Sequence, residues 1–225
     1  MEGTLINAGA VILGSIAGLI IHSRLPKNIV SIVFQGIGLF TLFLGISMAS
    51  KTSDFLIMIF SIVIGSIIGE LLDIDKSVNR FGEWLKKKVK SKNEKFSEGF
   101  VTSFLLFCMG SMTILGAFEE GLGGEPNLLL AKSVLDMFGS IILSASLGIG
   151  VIFSVIPLVV YQGGLTLFAG SLTGLLTDPI INELTAVGGL LLIGLGINIL
   201  EIKKIKILNM IPSLIIVVIL AYFFI

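Results

Sequence analysis

The chain predicts an all-α polytopic membrane protein of about eight transmembrane helices, built as two inverted three-helix repeats around a central helical hairpin. Composition is the first reason. Hydrophobic residues make up 55% of the 225 residues and charged residues only 13%, with a mean hydropathy of +1.07, which is more apolar surface than a soluble core could enclose. The second is the recurrence of apolar runs long enough to span a bilayer. The third is a set of glycine motifs near the start of the chain that returns near its end.

The runs cover residues 3–22, 29–49, 54–73, 99–118, 128–153, 156–177, 184–200 and 205–225. The start, MEGTL, lacks the basic region of a cleaved signal, so the first run is expected to remain as a transmembrane helix. Basic residues set the orientation. Arg24 and Lys27 follow the first run, Lys76, Arg80, Lys86, Lys87, Lys88, Lys90, Lys92 and Lys95 the third, and Lys203, Lys204 and Lys206 the seventh. All fall on one side of this arrangement, which is therefore cytoplasmic, with both termini outside. The opposite connections carry Asp54 with Lys51, then Glu119, Glu120 and Glu125, then Asp178 and Glu183.

Between the third and fourth runs lies the longest polar segment. Ile74, Val78, Phe81, Leu85 and Val89 recur there at helical spacing, with Trp84 beside them and lysines opposite. This spacing predicts an amphipathic helix lying on the inner leaflet. It serves either as a topology anchor or as a reader of lipid charge.

The repeat rests on specific residues. Gly14-Ser15-Ile16-Ala17-Gly18-Leu19 in the first run matches Gly170-Ser171-Leu172-Thr173-Gly174-Leu175 in the sixth. Gly38-Leu39 followed by Leu44-Gly45-Ile46-Ser47 in the second matches Gly189-Leu190 followed by Leu195-Gly196-Ile197-Asn198 in the seventh. Asn7 and Gln162 hold nearly equivalent places. Equivalent runs start an odd number of spans apart, so the copies cross the membrane in opposite directions. The segments are then a first repeat at 1–73, a linker helix at 74–97, a central hairpin at 98–155 and a second, inverted repeat at 156–225.

Small residues four apart let helix backbones approach closely, which assigns Gly14, Gly18, Gly65, Gly69, Gly170 and Gly174 to helix packing. Gly148 and Gly150 before Pro157, and Gly163 with Gly164, are candidate helix breaks. The central hairpin carries the charges. Asp136 falls near mid-bilayer on the descending helix, with Lys132 on the same face four residues earlier. A carboxylate there costs about 2.5 to 3.5 kcal/mol on insertion scales and must face a partner or a watery cavity. The pair is either a structural ion pair or the core of a solute site. In the second case Asp136 accepts a cation or proton, Lys132 is its charge partner, Asn7 and Gln162 are pseudo-symmetric ligands, and Asn198 and Glu119 complete the polar set.

Several classes are set aside. Zero net charge argues against nucleic acid as a partner. The single cysteine, Cys108, and single histidine, His22, can form neither a disulfide framework nor a metal site, and no cofactor is expected. No nucleophile elbow, paired-histidine zinc motif or phosphate-binding glycine loop is present, so the chain is not expected to be an enzyme.

NAGAVILGSIAGLIIHSRLP, GELLDID, EGFVTSFLLFCMGSMTILGAFEEGLGG, LLLAKSVLDMFGSIILSASLGIGVIFSVIPLVVYQGGLTL and GGLLLIGLGINIL together give the chain a family likeness. It resembles the bacterial domain-of-unknown-function 554 (YdfK-like) integral membrane protein family over essentially its whole length. The resemblance implies a bacterial plasma membrane and carries over no binding residues. The expected function is a small secondary transporter or channel for an ion or small solute. The alternative is a non-transporting scaffold or regulator that oligomerises, as a homodimer, through small-residue helix faces.

Overall fold

A computed structural model describes residues 1–22, 27–91, 93–108, 110–172 and 175–224; Arg24, Lys92 and Gly174, singled out above, lie outside them. The chain is helical throughout, with no strand among the described residues: α1 (Glu2–His22), α2 (Lys27–Ala49), α3 (Phe55–Leu72), α4 (Ile74–Lys88), α5 (Phe96–Cys108), α6 (Ser111–Gly121), α7 (Asn127–Leu147), α8 (Val155–Leu172), α9 (Asp178–Ile199) and α10 (Ser213–Phe224). Short 3₁₀ turns at Gly148–Ser154 and Ile207–Met210 precede α8 and α10. By length and composition, five helical stretches can cross a membrane among the described residues, or six if the bent pair α5–α6 counts as one.

Burial on α3 runs opposite to that of a soluble helix. On α3 the residues turned inward are Ile57, Ser61, Gly65 and Gly69, whereas Phe55, Leu56, Phe60 and Ile67 point outward. Phe43, Val160 and Leu71 are 69%, 71% and 81% exposed. Lipid tails are as apolar as leucine, so large side chains lose nothing by facing out, and the interior goes to small residues that let backbones touch. Asp54 caps α3 by accepting from the Leu56 and Ile57 amides, and Asp73 ends it in the left-handed conformation (φ 50°).

The helices form two compact units that do not follow the four segments read from the sequence: residues 1–34 with 82–173, and residues 35–81 with 174–225. Each draws on both ends of the chain.

In the first unit α1 packs along α7. A Cβ on Gly3 would meet Pro126 and Leu129, one on Gly14 would meet Met137 and Ser140, and one on Gly18 would meet Ile141, Ser144 and Ala145. The two helices therefore run parallel, with backbones touching. The two runs at 128–153 and 156–177 are divided by a turn at Gly148, one of the candidate breaks, where φ is +80° and a Cβ would collide with Asn93 Nδ2. Asn93 Nδ2 donates to Leu147 O at 2.9 Å, and the rings of Phe96 and Phe153 pack at a tilt of 43° near the turn, 5.3 Å apart. Returning, α8 brings Gln162 and Gly163 beside Thr4 and Thr166 beside Gly121, so it runs antiparallel to α1.

The expected single span at 99–118 is instead broken: α5 and α6 meet at an angle of 61°. No proline causes this. The break falls at Gly110, which has an extended conformation, and the Thr113 hydroxyl donates to the freed Phe107 carbonyl at 3.0 Å. Gly170 also departs from expectation. The side of α8 carrying Thr166 and Ala169 faces α6 at Gly121, and no described atom comes within 4 Å of a Cβ on Gly170.

In the second unit α3 packs on α10 and on the 3₁₀ turn before it. A Cβ on Gly65 would lie 2.3 Å from Ser213 backbone, and one on Gly69 1.8 Å from Asn209 O. The crossing of α2 and α9 is reciprocal. Gly45 abuts Gly189 and Ile193, Gly189 abuts Gly45 and Ala49, Gly38 abuts Leu200, and Gly196 abuts Leu42 and Gly38 O.

These contacts predict opposite outcomes for two alanine substitutions. Gly69→Ala forces the helices apart and is expected to lower stability by about 1–3 kcal/mol, as overpacking does. Gly170→Ala is expected to leave it unchanged. Thermal unfolding of the detergent-solubilised variants checks both.

Candidate functional site

The first unit gathers four of the residues the sequence singled out. Helical spacing puts Lys132 and Asp136 on the inner face of α7, where both are buried, and Asp136 lies at the helix midpoint. The Lys132 ammonium donates to Asp136 Oδ2. Asn7, fully buried on α1, donates from Nδ2 to the same oxygen at 3.0 Å and to Gln162 Oε1 on α8 at 3.1 Å. Gln162 Nε2 in turn donates to Thr4 Oγ1 at 3.2 Å, and the Gln162 carbonyl accepts from Thr166 Oγ1 at 3.1 Å. Two helices thus meet at one carboxylate, and α8 joins them through Asn7.

The carboxylate orients the amides. With Asn7 turned over, its carbonyl would face Asp136, so Nδ2 points inward and Oδ1 is directed elsewhere. That Oδ1 is buried and has no hydrogen-bond partner among the described residues. Lys132 is also underused: of three N–H donors, one has a described acceptor, Asp136. The cluster therefore offers both an acceptor and donors beyond its own internal bonds, at a charge-neutral centre.

Cys108 is fully buried at the end of α5, and the ring of its neighbour Phe107 lies 3.4 Å from a Cβ placed on Gly139 of α7. The α5–α6 break thus lies near α7 about one turn beyond Asp136. The sequence reading passed over Thr4. Thr4 could have been found as the residue one turn before Asn7 on the same face.

Two expected members are elsewhere. Glu119 Oε2 accepts from the Leu128 amide at 3.0 Å, holding the start of α7. Asn198 closes the connection after α9, donating to Ile205 O at 2.8 Å and accepting from Ile205 N at 2.7 Å.

The second unit holds a buried carboxylate that the sequence placed in an outer loop. Glu183, on α9, is fully buried and accepts from Thr52 Oγ1 at 2.6 Å, Ser53 N at 2.6 Å and Asp54 N at 3.2 Å. It clamps the α2–α3 connection. Its spacing from the inward-facing Ile180 and Val187 was the available signal. At another end of this unit Glu70 pairs with Lys206 and accepts from Asn209 Nδ2 at 2.6 Å. The Glu70 bond and charge hold the exposed Lys206 ammonium above its ordinary range.

The family model described as "Protein of unknown function (DUF554)" matches residues 2–222, and the chain belongs to that family. It is 36% identical over 217 residues to the uncharacterized protein YqgA of Escherichia coli (strain K12), covering 94% of this chain and 92% of that one. It is also 36% identical over 220 residues to the uncharacterized membrane protein YdfK of Bacillus subtilis (strain 168), covering 96% and 93%. No solved structure matches the chain.

Removing one partner of a buried ion pair leaves the other charge stranded, at a cost of about 3–5 kcal/mol. Asp136→Leu and Lys132→Met are each expected to destabilise by that order. The double variant should recover most of the loss. Thermal unfolding of all three in the same detergent checks the coupling.

Proposed function

We propose that this family member is a small secondary transporter for an ion or small polar solute in the bacterial plasma membrane, with the Lys132–Asp136–Asn7–Gln162 cluster as its binding site. The observation that carries the proposal is the buried pair itself. It lies at the middle of an apolar helix, accepts from the Asn7 amide of a second helix, which Gln162 of a third helix positions, and has the first half of a broken span packed about one turn away at Gly139. Intramembrane charge is expensive, and transporter sites typically form where helices are interrupted.

The arrangement suits an inverted repeat of α1–α3 and α8–α10. Asn7 and Gln162, matched in sequence, bond to each other. Gly38 and Gly45, matched to Gly189 and Gly196, cross in reciprocal order, as a local two-fold axis requires. The compact units also divide the two copies in the same way, α1 with α8 in one and most of α2, all of α3 and α9–α10 in the other. With α2 counted, and α7 and α8 as separate spans, the chain crosses the membrane eight times by this reading. The lysine-rich α4 then lies on the cytoplasmic leaflet, presenting Phe81, Trp84 and Val89 to lipid.

Mechanistically, the pair is a switch of charge. A proton or cation taken up by Asp136 releases Lys132, and an anion taken up by Lys132 releases Asp136. Either event leaves a buried charge that the same packing no longer balances, which biases the protein toward a second arrangement.

Two measurements test this. Thermal stability across a panel of ions and metabolites should rise with the cargo in wild type and remain flat in Asp136→Asn, because a ligand that binds only the folded state raises apparent stability. Flux of that cargo into proteoliposomes should be lost in Asp136→Asn while the variant still folds. Unchanged flux removes Asp136 from the mechanism, and a protein that binds and carries nothing returns the scaffold to first place.

A further inference from the structure

The first unit contains a second polar feature that the pair does not use. Serine and threonine hydroxyls in membrane helices ordinarily bond back to a carbonyl one turn earlier, as Ser133 does to Leu129 O at 2.7 Å and Thr166 to Gln162 O at 3.1 Å. Ser15, Ser103 and Ser144 do not. Each is fully buried, and its hydroxyl has no hydrogen-bond partner among the described residues.

Helix register brings the three to one level. Gly99 faces Leu147, and Phe107 faces Gly139, so α5 runs antiparallel to α7 and Ser103 is level with Leu143. On α1, Gly14 faces Ser140 and Gly18 faces Ser144, which sets Ser15 level with Ile141. Three helices thus each supply an unpaired hydroxyl within one turn of α7. On α7 itself Asp136, Ser140 and Ser144 follow at four-residue spacing along one face. The hydroxyl level therefore sits about two turns, roughly 12 Å, from Asp136 toward the Gly148 turn.

Leaving three hydroxyls unpaired at one depth is costly in a medium that cannot solvate them. We infer that Ser15, Ser103 and Ser144 form a water-binding station, and that water held there connects the Gly148 end of the unit to Asp136. A hydroxyl both donates and accepts, so buried hydroxyls at one level can hold a small molecule that does the same, and water is the smallest such ligand. The inference extends the transport reading by assigning its site an aqueous side, and it stands whether or not cargo moves.

Radiolysis of the wild-type protein in lipid tests it, because hydroxyl radicals form where water resides and oxidise adjacent side chains. Leu143, level with the serines, and Leu191, in the other unit, are the same residue type and are both buried. Leu143 is expected to oxidise about tenfold faster than Leu191, as a leucine beside bound water should. The excess should vanish in Ser103→Val with Ser144→Val. Equal oxidation of the two leucines in wild type overturns the station, and that comparison decides even if the valine variant does not fold. An excess at Leu143 in a protein that carries no cargo keeps the station and rejects transport. Flux without the excess rejects the station alone.

Discussion

A charged pair at the middle of an apolar helix constrains everything around it. Water can solvate Lys132 and Asp136 in the unfolded chain and lipid cannot, so the fold must surround them with bonds of its own. Lys132 neutralises the carboxylate, Asn7 donates to it from α1, and Gln162 positions Asn7 from α8. For Asn7 to reach, α1 must lie directly against α7, and only glycine at positions 14 and 18 permits that approach. For Gln162 to reach, the chain must reverse after α7, and Gly148 adopts the backbone conformation that begins the reversal. Polar chemistry at one point thus dictates where small residues must stand, at two positions on α1 and at the turn after α7.

Much of this could be read from the amino acids because the bilayer simplifies the code. A lysine and an aspartate four apart in an apolar run have few alternatives to burial together, so Lys132 and Asp136 were visible at once. Asn7 and Gln162 were visible through internal similarity, since neither is notable alone. The residues that escaped did so for physical reasons. The break at Gly110 has no proline to announce it, and the hydroxyl that compensates, Thr113, looks like any other threonine in a helix. Glu183 stands near the start of α9 among residues that resemble a polar connection, and only its three donors reveal its burial. Glu119 and Asn198 illustrate the opposite error. Both are polar groups near the membrane, yet each is consumed in shaping a turn.

The two buried carboxylates make an instructive pair. Glu183 has its acceptors filled by a hydroxyl and two backbone amides, all from one short connection, which is how a protein fixes a loop. Asp136 is approached by an ammonium from its own helix and by an amide from another, and the amide's own oxygen has no partner among the described residues. Filled acceptors favour rigidity. A cluster with donors and an acceptor to spare favours exchange of partners, and this difference, rather than burial, separates a structural acid from a candidate binding group.

The reciprocal crossing of α2 and α9 carries a consequence for how such a contact is specified. In it, Gly38 and Gly45 on one helix meet the neighbourhoods of Gly196 and Gly189 on the other, so a single type of surface serves both partners. Two separate copies of one shorter chain, inserted in opposite directions, would make the same self-complementary contact without any covalent link. A seam of that form needs no second sequence to evolve against.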